Sequence, residues 1–350
     1  MTQPPLFPSS SRLPHLSLRD FALAASTRRS YSSHLKSFLT HSRLTKQQFF
    51  TLPSSSIDRL LSIFIQHLHD SSSNLTYAAC ALNASVFVRP GLKLKLPFSR
   101  QCLRGWQRLA TTQSHTPITW EINALFAVTA AKSGYHAAAV AFLLAFHCYL
   151  RVSELTQLQR QHVILPGDSR VGSSSEVMAI VLKRTKTGIN QSVTIHHDQV
   201  IQAIKEWMLF THNNNTLAID TDLVFPFTPT QLRNLMSSIS TSLGFTSSPY
   251  VPHSLRHGGA THDHLRGYSI EQIMYRGRWK ATESARRYIQ SGRALLIQSQ
   301  IPRHLDEMGS NAAKHIAVVL KVLRQIVPDA LTARAARRVT FNTTVTSDSL

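Results

Sequence analysis

Residues 252–262 read PHSLRHGGATH. Proline suits the first turn of a helix, where its missing N–H would have had no intrahelical partner, so a helix is predicted to open at Pro252. A spacing of three then puts His253 and Arg256 on one face of the first turns. That face joins an imidazole able to move a proton near neutral pH to a guanidinium that never loses one. The pair alone carries little weight, because 18 His and 27 Arg in 350 residues give about one H-x-x-R by chance. Its meaning depends on what stands on either side.

Upstream, CYLRVSELTQL (148–158) offers Arg151 and Glu154, again three apart, at the end of an apolar stretch that predicts one helix from Ala137 to Leu158. Between the two pairs, EVMAIVLK (176–183) and QSVTI (191–195) are rich in strand formers. The polar RTKTG (184–188) between them can close a hairpin, which brings in Lys183 and Lys186. Downstream, GRWKATESARRYI (277–289) surrounds Tyr288 with Trp279, Lys280, Arg278, Arg286 and Arg287. Taken singly, these residues have plain readings: a surface ion pair, a solvated turn lysine, a core tryptophan, a packed tyrosine.

Composition narrows the partners. With 43% hydrophobic residues in 350, the chain is long enough for two packed domains, and a formal charge of +20 points to a polyanion such as nucleic acid. A membrane is not expected, because the longest apolar run, Ala137 to Phe146, is half a bilayer span. Cys80, Cys102 and Cys148 are too few and too scattered for a disulfide framework or a metal site.

The Pro- and Ser-rich residues 1–17 read as a flexible tail, and TFNTTVTSDSL places a disordered tail over 329–350. Residues 18–112 read as a helical domain. In it Tyr31, Leu35 and Phe38 share a face, and IDRLLSIFIQHLHD, TYAACALNASVFVR and FSRQCLRGWQRLA supply further helices. Residues 1–116 hold 14 Lys/Arg against 3 Asp/Glu, a net of +11, so more than half the charge lies in a third of the chain. That domain is expected to grip DNA, with Arg28, Arg29, Lys36 and Arg104 as contacts; a bundle with a solvated basic face is the plainer alternative. SHTPITW marks a linker over 113–118. In the remainder, helices are expected over 120–133, after Asp198, from Thr228-Pro229 to Gly244, and after a Ser269/Gln272 capping box. The fold class is therefore mainly α with a small antiparallel sheet in the second domain (α+β).

The order Arg, hairpin Lys, His-x-x-Arg, Trp, Tyr resembles the tyrosine recombinase (phage-type integrase) family, including Cre-like members that carry Trp where many relatives have a second His. LRVSEL, KRTKTG, HSLRHGGAT and GRWKATESARRYI carry the likeness, which spans residues 18–310. It implies a two-domain DNA clamp with a catalytic domain over 119–310. Its function would be site-specific cutting and rejoining of double-stranded DNA through a 3′-phosphotyrosine, with a mobile element as a plausible home.

By the same resemblance Tyr288 is the nucleophile, and Arg151 and Arg256 hold the phosphate. Lys186 is the general acid, with Lys183 as competitor; His253 moves the proton or binds phosphate, and Trp279 donates its N–H. Glu154 orients Arg151 or His253, and Lys183 and Arg278 join the DNA contacts. Neither metal nor cofactor is implied. A homo-oligomer is: a dimer on one site and a tetramer in synapsis. The segment 311–328, with Ile316, Val319, Leu320 and Leu323 in a stripe, is the helix for docking on a neighbour or on its own domain. The place of action is the nucleus in a eukaryote or the cytoplasm and nucleoid in a prokaryote, without secretion. Type IB topoisomerases share much of the residue set, and a non-cleaving DNA-binding descendant of a mobile element would keep only the basic surface.

Overall fold

The structure is a computed structural model that describes residues 22–110, 115–170, 176–184, 188–214, 220–246 and 249–330. It divides into two compact units, residues 1–113 and 114–350.

In the first unit the helices are α1 (Ala25–His41), α2 (Lys46–Thr51), α3 (Ser54–Asp70), α4 (Leu75–Val88) and α5 (Pro97–Leu109). Phe38 of α1, Phe49 of α2, Leu61 and Phe64 of α3, Ala81 and Leu82 of α4 and Leu96 before α5 form its core. One of its rare acids lies inside. Asp58 on α3 accepts the Phe98 and Ser99 N–H groups at 2.9 Å each and the Ser99 hydroxyl at 2.6 Å. A carboxylate thus satisfies orphan donors at the start of α5 from another helix and fixes that helix by its N-terminus. Arg29, Lys36 and Arg104 stay exposed, and Arg28 is half-buried.

The second unit is built round α6 (Trp120–Lys132) and α7 (His136–His147). Every residue of α7 is buried, so it has no amphipathic stripe and is packed on all sides. The predicted helix to Leu158 does not continue. Tyr149 takes φ of 46°, the Leu150 N–H turns back to the Ala145 carbonyl, and a separate short α8 (Val152–Thr156) follows. Arg151 consequently stands at the N-cap of α8 rather than inside a helix.

The sheet has three antiparallel strands in the order β1 (Val163–Ile164), β2 (Met178–Arg184), β3 (Ile189–Ile195). Ile180 pairs with Val163 on one side and Val193 on the other. Met178, Ile180 and Leu182 alternate inward, which leaves Lys183 exposed. The two-residue β1 is too short to show a period and was not foreseen.

Then follow α9 (Asp198–Asn214), α10 (Pro229–Ser242), α11 (Pro252–Leu265), α12 (Ile270–Gly277), α13 (Thr282–Arg286), α14 (Ser291–Gln300), α15 (Arg303–Lys314) and α16 (Ile316–Ile326). Three boundaries need correction. Residues 115–118 are not a free linker: Thr116, Pro117 and Ile118 are buried in this unit, and the Ile118 N–H reaches the Ser254 carbonyl. The single helix expected over 311–328 is two, broken at His315. Ala330, placed in the tail by sequence, donates its N–H to the Gly134 carbonyl at 2.9 Å.

α16 packs on its own unit. Ile316, Ala317 and Leu320 are buried, and Glu206 of α9 pairs with Lys321 at 3.0 Å and Arg324 at 3.6 Å.

α11 is pressed against the end of α7 so closely that a Cβ on Gly259 would stand 2.1 Å from the Phe146 carbonyl oxygen, and one on Gly258 2.1 Å from that of Ile118. The paired glycines of HGGAT thereby set how deep this helix sits, and it carries His253 and Arg256. Among the described residues, no helix is long and apolar enough to cross a membrane.

Candidate active site

Tyr288 follows α13 and lies half-buried against Tyr149, Ala260, Ile273 and Trp279. Its main chain is tied to α11: Thr261 Oγ1 donates to the Tyr288 carbonyl at 3.1 Å and accepts the Gln290 N–H at 3.1 Å. Its hydroxyl is 3.2 Å from His253 Nε2. His257 stacks on its ring with centroids 4.5 Å apart, and Trp279 lies against it at 4.8 Å. The backbone and the aromatic sandwich aim the phenol at His253.

Burial first, then His115, Arg256 and Arg151, pushes the His253 imidazole down to about 4. Burial first, then His253 and His115, takes His257 down to about 3. Both are therefore neutral at pH 7, and His253 can accept a proton from the tyrosine.

Arg256 is fully buried. Its guanidinium lies 4.5 Å from the Trp279 ring centroid and 5.2 Å from that of Tyr288. It donates to the carbonyls of Tyr149 and, at 2.6 Å, Gly277. Its Nε is buried without a hydrogen-bond partner among the described residues. A buried cation with an unused donor is costly unless an anion completes it. Burial first, then Arg151 and Arg278, lowers its pKa, yet a guanidinium still stays charged at neutral pH.

Glu154 stands between Arg151 and Arg278. It accepts the Arg151 backbone N–H at 2.9 Å and the Arg151 guanidinium at 2.6 Å, so the two pair as N-cap and third residue of α8. Arg278 Nη2 meets its other side at 2.9 Å. Burial pushes the Glu154 carboxyl up, but Arg278, then the Arg151 N–H and guanidinium, outweigh it and hold the group below its usual range.

Arg278 was read from sequence as a DNA contact. The structure corrects this: its side chain is 3% exposed and bound from below to Glu154 and to the carbonyls of Cys148 and Tyr149, each at 3.2 Å. Its backbone has φ of 57°, the left-handed turn that ends α12. A non-glycine residue there costs roughly 1–2 kcal/mol. Gly277 beside it has a different reason to be glycine, since its Cβ would stand 1.9 Å from the Trp279 ring.

Of the expected site, Arg151, Glu154, His253, Arg256, Trp279 and Tyr288 come together. Lys186 lies outside the described residues. Lys183 is exposed on β2, and the adjoining β3 contributes Gln191 and Ser192 to a cleft of about 330 Å³ with Trp279 and Lys280. Sequence reasoning missed three participants: His115, whose ring stands 5.3 Å from that of His253; Thr261, inside HGGAT; and the buried role of Arg278.

The fold matches tyrosine recombinase catalytic domains. The chain belongs to the phage integrase family, whose model matches residues 119–294. A structure of the Tn1549 transposon integrase in complex with circular intermediate DNA superposes with a TM-score of 0.56 at 14% identity, covering 78% of this chain and 94% of that one. A lambda integrase dimer bound to a core site gives 0.53 at 14% over 78% and 92%. The XerH site-specific recombinase bound to palindromic difH substrate gives 0.52 at 14% over 81% and 78%. At these identities the likeness is one of fold. A search of curated protein sequences finds no match.

Proposed function

We propose that this chain is a site-specific DNA recombinase that cuts and rejoins duplex DNA through a phosphotyrosine at Tyr288. The observation that carries the reading is the 3.2 Å approach of the Tyr288 hydroxyl to a neutral His253, with the guanidinium of Arg256 beside the same ring. A neutral phenol is a poor nucleophile, so it needs a base and a cationic pocket for the phosphate it attacks.

In the first step the Tyr288 oxygen forms a bond to phosphorus as its proton passes to His253, and the bond from phosphorus to the 5′ oxygen breaks. The leaving oxygen takes a proton from a lysine: Lys186 in the proposed assignment, with Lys183 as the alternative. Arg151 and Arg256 hold the non-bridging oxygens, where a forked donor fits phosphate better than a point charge does. Loss of either is expected to cost about 3 kcal/mol of transition-state stabilisation, by analogy with an oxyanion-hole donor. The Trp279 N–H adds a further donor. Attack by a free 5′ hydroxyl on the phosphotyrosine reverses the bonds and rejoins the strand.

Arginines supply the positive charge, so the reaction is proposed to need no metal. Duplex DNA is the proposed substrate and a homo-oligomer the proposed working form; the transposon integrase and the lambda integrase dimer, solved on DNA, support that reading. The exposed Arg29, Lys36 and Arg104 of the first unit, with Lys183, are proposed to contact the backbone.

The test is an adduct assay on nicked duplexes, with EDTA present, followed by peptide mapping. A nucleotide remnant on Tyr288, absent from Tyr288→Phe, is expected. DNA binding without any adduct would overturn the catalytic reading and leave a DNA-binding protein.

A further inference from the structure

Six donor and acceptor groups converge beneath the site. Arg151 and Arg278 grip opposite oxygens of Glu154, at 2.6 and 2.9 Å. Arg278 and Arg256 share the Tyr149 carbonyl, and Arg256 also holds the carbonyl of Gly277, the residue preceding Arg278. Of these residues Tyr149, whose carbonyl joins the set, and Arg278 have a positive φ, and the left-handed Arg278 stands at a helix end where glycine is the usual occupant. Glycine there would adopt the turn without strain, so the chain tolerates a strained arginine in exchange for its guanidinium.

We propose that Arg278 is a positioning residue of the recombination site: it fixes Glu154 from below, and Glu154 in turn holds the Arg151 guanidinium where the scissile phosphate arrives. Arg151 by itself holds both oxygens of Glu154, through its guanidinium and its backbone N–H, but both grips come from one end of α8. Arg278 adds a donor to Oε2 from the end of α12, and so ties Glu154, with the Arg151 guanidinium on it, to a second element. The Arg278 guanidinium also braces the carbonyl that receives Arg256, so both phosphate-binding arginines are aligned through one buried residue. Two guanidiniums share the one carboxylate of Glu154 and the third, that of Arg256, is held by carbonyls, which leaves these four side chains with excess positive charge for the incoming anion.

The inference rests on the recombinase reading, and the test separates the two. Arg278→Gly, Glu154→Gln and the double variant are compared with the parent chain for duplex affinity, salt dependence of binding and single-turnover adduct formation at saturating protein. Arg278→Gly is the informative change because it removes the guanidinium while relieving the left-handed backbone, which offsets part of the cost of the lost buried ion pair; a urea midpoint checks that the variant is folded under the assay conditions. The expected result is a fall of about tenfold or more in adduct rate, with affinity and salt slope unchanged, since a buried side chain touches no DNA. In the Glu154→Gln background the further loss should shrink to below about threefold, because the two act through one link.

A rate within about twofold of the parent chain would overturn the proposal, as would an equal loss in both backgrounds. A loss of affinity with a shallower salt slope would instead make Arg278 a direct phosphate contact. If Arg278→Gly fails to fold, Arg278→Lys, which keeps the charge and loses the fork, goes through the same cycle and is judged by the same outcomes. If the parent chain itself forms no adduct, the recombinase reading falls first.

Discussion

The imidazole of His253 sets a pH window at the residue scale. In the proposed mechanism it must be neutral to accept the Tyr288 proton, and burial places its pKa at about 4, below that of a free histidine. Adduct formation should therefore persist to mildly acidic pH and fail as pH falls through that value; a pH profile of the adduct rate at protein well below saturation, which reports the DNA-free site, checks this, and an acidic limb centred near 6.5 would contradict it. Stability has its own sign. Because the folded pKa values of His253 and His257 are depressed, the unfolded chain binds more protons between about 6.5 and about 4. Stability is fully present above pH 6.5 and lost as pH falls below it, which denaturant midpoints at pH 7.5 and 5 would report. At this scale the sequence was partly legible. Residue types in order were enough to single out His253, Arg256 and Tyr288, which the fold brings side by side. Arg278 was misread because a basic residue next to a basic cluster looks like surface, and only its left-handed backbone turns it inward.

At the scale of elements, α11 holds the site because it can approach α7. Gly259→Ala would force a methyl group against the Phe146 carbonyl and the Tyr149 ring, both backbone-anchored neighbours. The expected outcome is a destabilisation of about 1–3 kcal/mol in urea titration, with a larger fractional loss of cleavage, because His253 and Arg256 shift together. Helix starts were readable where local chemistry fixes them: Thr228 and Ser269 each accept the N–H of a glutamine three residues on, as expected of a capping box. The break at Cys148–Arg151 was not readable. An apolar run continuing into LRVSEL has helical period, and what stops it is tertiary: the buried Tyr149 hydroxyl donates to Asp263 at 2.5 Å, which only the folded chain brings near. The two-strand hairpin was visible from its β-branched runs, whereas β1 owes its existence to pairing with β2.

For the whole molecule, charge governs encounter with DNA. A net +20 over 350 residues predicts binding whose log K falls steeply and linearly with log salt. Fluorescence anisotropy on an unrelated duplex across 50–200 mM salt should show a loss of about a thousandfold, if six or so phosphates are neutralised; a flat response would remove DNA as the partner. Charge carries no base preference, so the same measurement on different sequences should give similar slopes.

The tether from Thr261 to the Tyr288 main chain has one more consequence. On the proposed assignment it joins the attacking residue to the helix bearing a phosphate-holding arginine of the same polypeptide, so each subunit would be a self-sufficient blade that depends on no neighbour for its cutting edge. Mixing a Tyr288→Phe chain with an Arg256→Gln chain should therefore restore nothing: every strand break requires one subunit intact at both positions. Recovery of cleavage in such a mixture, read on nicked duplexes, would mean that subunits lend their tyrosines to one another.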